Sequence, residues 1–405
     1  MPTFTSALSS FKGFVGIAAD RTNAMVTSAV ASGVSSLPIT NINYVTTNPL
    51  VASGANYSAI INDGALTEAI ALTGNLSAGA VPVAATANAH AAGVYVVFQL
   101  TASIGPTAYM PLESWTFDDV YDQLYDTASR GSLVSEAGVV QGVRTSTVDI
   151  AGAIFPDTYP YILGGIFGSE DYTSGTPSIH AFGVNNTATT VNFPTTRYIL
   201  YSYDAVNTRI FCGRFTETTI TADPKQLLKH ASKFMARASG TVANPTSSFS
   251  AVKPMATWAG LATIGGTSVG NVETFDVTLA RTEVEAIPTL DGNQDPWDIW
   301  VGALTCKGKT SIVMLDDTQY VNYTSATAPS FDVTVTVSTL LILQIHMTKC
   351  NYEKATPKLQ GKSYVALDIP FTGLANATDA TTAGGGLSPC KITASNATAS
   401  AVTYT

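Results

Sequence analysis

Charge is what this sequence has least of. Aspartate, glutamate, lysine and arginine make up 12% of its 405 residues, about half of the ~25% usual in soluble domains. A monomer so poor in charge exposes much neutral or apolar surface, and such surface marks contacts with other chains. A neutral coat of Thr, Ser and Asn, all abundant here, is the alternative. Long apolar runs are also absent. The nearest approaches, Val94 to Phe98 and Leu340 to Leu343, have strand length and fall far short of the ~20 residues that span a bilayer. Met1 to Phe14 has no basic segment leading into an apolar core. The expectation is a chain that neither crosses a membrane nor carries a signal peptide.

Chemistry-bearing residues are sparse. Cys212, Cys306, Cys350 and Cys390 are widely spaced and form no C-x-x-C pair, so neither a zinc site nor a redox pair is supported and buried thiols are expected. The histidines are His90, His180, His230 and His346, and no H-E-x-x-H or G-x-x-x-x-G-K-[ST] motif accompanies them. Gly384-Gly385-Gly386 has no strand before it and no Lys-Ser/Thr after it, so it reads as a loop. Asp118-Asp119 and Asp316-Asp317 read as turn or helix-start pairs, not cation ligands. His180 lies in a strand-like stretch and reads as structural. No catalytic, cofactor-binding or metal-binding residue is expected.

Net charge is −9. The closest thing to a basic cluster is Lys225, Lys229, His230, Lys233 and Arg237. That is too thin for a phosphate-binding surface, which needs several convergent cations. Contact with DNA should therefore be non-adhesive.

What is present is strand alternation, in three zones. From Met25 to Ala108 the only ionised side chains are Asp63 and Glu68, among many Ala, Thr, Ser, Gly and Asn. Val94 to Leu100 and Ala69 to Leu72 read as strands, and the zone as an inserted small β element or a long ordered loop. The zones 109–245 and 246–405 repeat one order of elements, which suggests domain duplication. In the first, Val139 to Ala153 alternates as a strand. A helix follows from Tyr159 to Phe167, ending at Gly168. In the second, Val272 to Glu285 alternates, and a helix is expected over Trp297 to Val301, between Asp295-Pro296 and Gly302. Strands then pair off: His180 to Val184 with Thr310 to Leu315, Arg209 to Thr221 with Leu341 to Lys349, and Ser232 to Ser239 with Ser363 to Phe371. Thr116 to Arg130 is open between a capped helix and a hairpin arm.

These stretches, taken in order, resemble a known family. Phe14 to Thr22 (FVGIAADRT) is followed by Tyr109 to Phe117 (YMPLESWTF), Ser129 to Ser132, Val140 to Arg144 and Phe155-Pro156-Asp157. Then come Phe167-Gly168 and His180-Ala181-Phe182. Thr257 to Gly265 (TWAGLATIG), Leu279-Ala280-Arg281, Asp291 to Pro296, Gly302 to Lys309 and Leu387 to Lys391 complete the series. Together they resemble the major tail tube proteins of siphophages, whose tails are long and non-contractile, and especially those of actinobacterial phages.

The resemblance implies a mainly β fold with two tandem tail-tube-like β-sandwich or barrel domains, each with a short helix. It implies an N-terminal arm and first strand at 1–24, the inserted Ala/Thr-rich element at 25–108, a first domain at 109–245, and a second at 246–405 with a C-terminal extension. Such a chain is a structural virion subunit, assembled in the host cytoplasm into rings of three or six chains. The rings stack into a conduit through which DNA passes without specific binding. A tape-measure protein, a tail terminator and a distal tail protein are the implied partners. A long loop near Arg130 is implied to reach the adjacent ring, which makes Arg130 the candidate contact residue. A capsid decoration protein, an adhesin or a surface-layer subunit is the alternative.

Overall fold

The computed structural model describes residues 15–19, 23–25, 28–38, 57–62, 68–71, 80–90, 95–100, 106, 108–127, 138–187, 198–203, 208–242, 247–249, 251–288, 290, 294–296, 298–359, 364–396 and 404. Two antiparallel sheets hold most of them. The larger has 13 strands. It starts at a long hairpin, Ser114–Asp126 with Gly138–Ala153. Across it lie Lys229–Arg237, Thr208–Ala222, Val272–Arg281, Leu304–Val313 and Ala366–Gly373, and then the short strands Cys350–Tyr352 and Thr356–Lys358. Tyr198–Tyr203, Val15–Ala19 and Ala108–Met110 extend the free part of Thr208–Ala222, and Gly240–Val242 pairs with its first three residues. The smaller sheet has seven strands, in the order Gly168–Thr173, Ser178–Val184, Lys391–Asn396, Leu341–Met347, Phe331–Ser338, Gly260–Ile264 and Thr267–Val269.

Alternation of period two makes one face of the large sheet apolar and the other polar. Along Lys229–Arg237, His230, Ser232, Phe234 and Ala236 are buried while Ala231 and Lys233 are exposed. The apolar face meets the smaller sheet. Phe275 and Phe371 on the large sheet stack on Phe331 of the smaller one, with ring centroids 5.3 and 5.6 Å away. The polar face carries threonines and paired ions. Lys233 Nζ lies 3.0 Å from Glu217 Oε1, and Lys309 Nζ 3.5 Å from Asp368 Oδ2.

The helix Tyr159–Phe167 lies inside this core, with all nine residues buried. Pro160 pre-sets its first turn, and Gly168, at φ 81°, supplies the left-handed cap that ends it. Tyr159 Oη and Thr218 Oγ1 are 3.2 Å apart, Thr218 Oγ1 and Ser232 Oγ 2.8 Å, and His230 Nδ1 and Ser232 Oγ 3.1 Å. Burial lowers the pKa of His230 from its ordinary 6.5 to about 4. Because the folded value lies below the unfolded one, the stabilisation is complete above pH 6.5 and is lost as pH falls through about 4. Between pH 7 and pH 4 the stability advantage of wild type over His230→Leu should shrink by roughly 3 kcal/mol. Denaturant titrations at several pH values test this, and parallel pH profiles for the two proteins would refute it.

Several sequence expectations need correction. No helix spans Trp297 to Val301. Asp298–Trp300 is a strand that pairs with Glu285–Ile287. The run between Pro296 and Gly302 is too short to offset the cost of helix nucleation, and the β-branched Ile299 and Val301 fit a strand. The second helix is Thr318–Thr324, after Leu304–Val313. Among the described residues neither sheet closes into a barrel; both run between open ends. The stretch Thr116 to Asp126 resolves as strand within the arm, not helix.

Strands from both sides of residue 245 share both sheets, since Glu217–Ala222 pairs with Phe275–Ala280 and Ser178–Phe182 with Ile392–Asn396. Val15–Ile17 pairs with Ala108–Met110. The intervening segment contains a four-stranded sheet, Asn23–Met25, Tyr95–Leu100, Tyr57–Asn62 and Glu68–Ala71, and a two-stranded one, Ser36–Pro38 with Ala80–Pro82.

Candidate assembly interface

Two sets of strands in the large sheet follow one connection pattern. In the first, the hairpin Ser114–Asp126/Gly138–Ala153 leads into the helix Tyr159–Phe167, and the later hairpin Thr208–Ala222/Lys229–Arg237 docks on Gly138–Ala153. In the second, Val272–Arg281/Leu304–Val313 leads into the helix Thr318–Thr324. The later pair, Cys350–Lys358/Ala366–Gly373, docks on Leu304–Val313.

The registers agree residue by residue. Thr221 faces Lys229, which faces Ala153; Lys358 faces Ala366, which faces Val313. Gly213 faces Ala236, and Cys350 faces Gly373. An irregularity falls between Phe215 and Glu217 in one set, and the break between Tyr352 and Thr356 falls at the matching place in the other. The correspondence differs from the one expected from alternation, since Gly138–Ala153 matches Leu304–Val313, not Val272–Arg281.

The two sets meet inside the chain. Glu217 faces Ala280 and Ala222 faces Phe275, with the hydroxyls of Thr219 and Thr278 2.8 Å apart. Arg281 locks this junction. It is 6% exposed. Its Nε donates to Ile166 O at 2.8 Å, Nη2 to Phe167 O at 2.9 Å and Nη1 to Gly302 O at 3.0 Å. Burial, followed by repulsion from Arg214, lowers its pKa to about 10, so it is charged at neutral pH. Among the described residues, each outer end of this run of strands lacks a strand partner: Ser114–Asp126 pairs only with Gly138–Ala153, and Cys350–Lys358 only with Ala366–Gly373.

Residues weighed for chemistry turn out to hold structure together. Asp316 Oδ1 accepts from Thr318 N at 2.9 Å, a turn into the second helix. Asp119 accepts from Ser146 Oγ and Ser239 Oγ and ties the arm to its neighbours. His180 Nδ1 lies 2.6 Å from Glu170 Oε1, and Glu170 Oε2 accepts from Tyr404 N. The Gly384 to Gly386 turn is held by Asn186 Nδ2, which donates to Gly385 O and Leu387 O. Cys306, Cys350 and Cys390 are buried, Cys212 is half-buried, and no two are bonded.

Two strings escaped the sequence reading. Gly266-Thr267-Ser268-Val269-Gly270 spells G-x-S-x-G, the nucleophile motif of many hydrolases. It sits instead in a two-residue hairpin, with Gly265 and Gly266 at φ 59° and 79°, and no helix follows it. Ala303 to Thr310 approximates a phosphate loop, but Leu304–Val313 is extended strand. A depression of about 390 Å³ on the polar face is lined by Thr147, Asp149, Glu217 and Lys233, without cysteine or histidine. Among the described residues no group of three His, Cys, Asp or Glu could hold a metal ion, and no helix is long and apolar enough to cross a membrane.

Arg130 lies outside the described residues. The strands that flank it carry exposed apolar side chains towards its end of the arm, with Leu124 59%, Tyr125 55% and Val140 66% exposed.

No curated protein matches the chain. A family model described as phage tail tube protein matches residues 16–373, a span that includes both strand sets and the junction between them. A mainly antiparallel β chain with two open sheet edges and this match belongs to the phage tail tube protein family, as a structural component of the virion tail.

Proposed function

We propose that this chain is the tube subunit of a long, non-contractile phage tail, and that it carries two equivalent tube domains. One observation carries the reading: the sheet already continues from one strand set into the other within the chain, and both outer ends are open. Repeating that junction between chains closes a ring and removes the unpaired edges that would otherwise aggregate. Three chains then give pseudo-sixfold rings, which stack head to tail by a contact that propagates. Six chains per ring is the second reading.

The polar face of the large sheet faces the channel in this arrangement. Its Lys233, Lys309 and Lys358 sit beside carboxylates, and its other positions include many threonines. Such a wall does not collect phosphates through counterion release, so DNA slides past it during ejection. The segment between Val15–Ala19 and Ala108–Met110 projects from the tube exterior. A tape-measure protein sets the length, a terminator and a distal tail protein bound the two ends, and assembly takes place in the host cytoplasm.

Arg130, with the exposed aromatic end of its arm, lies at the contact between rings, where its guanidinium makes bidentate bonds to a carboxylate. The test is microscopy and native mass measurement of the purified protein. Tubes are expected, with a ring mass three times the 42.2 kDa of the chain, and Arg130→Ala should shorten the tubes without lowering the melting temperature of the monomer. Strict six-chain rings would overturn the three-chain form. Particles that never associate would overturn the function.

A further inference from the structure

The described helices Tyr159–Phe167 and Thr318–Thr324 occupy matching places but differ in burial. Tyr159–Phe167 packs against Thr208–Ala222 of its own set and against Val272–Arg281, the first strand of the next set, and every residue of it is buried. Thr318–Thr324 packs against Cys350–Tyr352, the match of Thr208–Ala222, with Tyr352 Oη donating to Gln319 Oε1 at 2.8 Å. None of its residues is buried, and Leu315, Tyr320 and Val321 are 78%, 39% and 46% exposed. What the second helix lacks is a following first strand.

Resting on the reading of the chain as a self-assembling tube subunit, we propose that the first strand of the next copy, Ser114–Val120, docks on the edge Lys354–Leu359 and covers the second helix, in the register of the internal junction. Thr219 opposite Thr278 becomes Thr356 opposite Asp118. Ala222 opposite Phe275 becomes Leu359 opposite Trp115. Glu217 opposite Ala280 becomes Lys354 opposite Val120.

Two properties of these edges fit that register. On one face of the joined strands, Lys354 and Lys358 flank Asp118 diagonally, so opposite charges meet at the spacing of cross-strand neighbours. On the other face, Leu359, 70% exposed in the single chain, lands on Trp115, which stacks on Phe117 with centroids 5.9 Å apart. Ala222 and Phe275, at the matching internal position, are 5% and 2% exposed. Pro357 offers no N–H, so this ladder leans more on its side-chain pairs than the internal one does. A proline at an open edge also discourages pairing with unrelated strands.

The experiment joins Asp118→Cys and Thr356→Cys in one chain and follows it by non-reducing gel and by microscopy. The expected result is a covalent trimer that neither single variant forms, which also controls for Cys212. In a separate variant, Lys354→Glu with Lys358→Glu should lower the assembled fraction at least tenfold at low salt, and adding Asp118→Lys should restore most of it. Tubes that form without the crosslink overturn the register and leave the tail tube reading standing. A chain that forms neither tubes nor crosslinks overturns both.

Discussion

Arg281→Ala should lower the stability of the chain by about 3 kcal/mol. The last carbonyls of a helix have no partner within the helix. At the end of Tyr159–Phe167, Ile166 O accepts from Arg281 at 2.8 Å, and Phe167 O accepts from Arg281 at 2.9 Å and from Asn185 N at 3.1 Å. The positive charge also complements the helix dipole at that end. Alanine leaves Ile166 O and Gly302 O without their donor, while Phe167 O keeps the bond from Asn185 N at 3.1 Å, and each lost partner costs ~1–3 kcal/mol. Removing one buried cation relieves its repulsion with Arg214, which keeps the net effect below the plain sum. Lysine should recover only part of the loss, because one ammonium cannot span three carbonyls set around a planar guanidinium. Denaturant unfolding of the monomer at neutral pH measures this. A loss under 1 kcal/mol would show that Arg281 does not hold the two strand sets together.

Phe371→Ala is expected to cost more, about 4 kcal/mol. Its ring is 1% exposed and lies 5.8 Å from Phe275 and 5.6 Å from Phe331. The three rings bridge the large and small sheets, so the vacated volume cannot be refilled without moving two sheets. Phe371→Leu, which keeps most of the volume, should cost about 1.5 kcal/mol. The ratio between the two variants is the informative readout. Equal losses would mean that the stack contributes through its rings alone and not through the filled space.

Much of the fold is legible in the sequence because its signals are local. Val272–Arg281 alternates strictly, with Phe275, Val277 and Leu279 on the buried side. Tyr159–Phe167 is announced by Pro160 and closed by Gly168. The misreadings have local causes too. Asp295-Pro296 and Gly302 imitate helix punctuation around a strand that exists through its pairing with Glu285–Ile287. The real second helix has no buried face to give it a pattern. Non-local facts were out of reach: which strand pairs with which, and hence that Gly138–Ala153 matches Leu304–Val313. The stretch between hairpin and later strand pair is longer in the first set than in the second, so no single offset aligns them. The edge residues Lys354, Lys358 and Leu359 carry no sequence signal either, because their meaning depends on strands they do not touch within one chain.

The junction between Glu217–Ala222 and Phe275–Ala280 bears on the kinetics of assembly. It forms when the chain folds, at a rate independent of how many chains are present, because its two edges are tethered at high effective concentration. Only the junctions between chains wait on collision. A closed ring of such double units therefore has a lower reaction order than one built from single domains, and nucleation should persist at dilutions where single-domain subunits would stay apart. In the proposed three-chain ring the same tether would make half of the seams impossible to lose by dissociation, so a ring strained by a bending tail would open only at alternate seams.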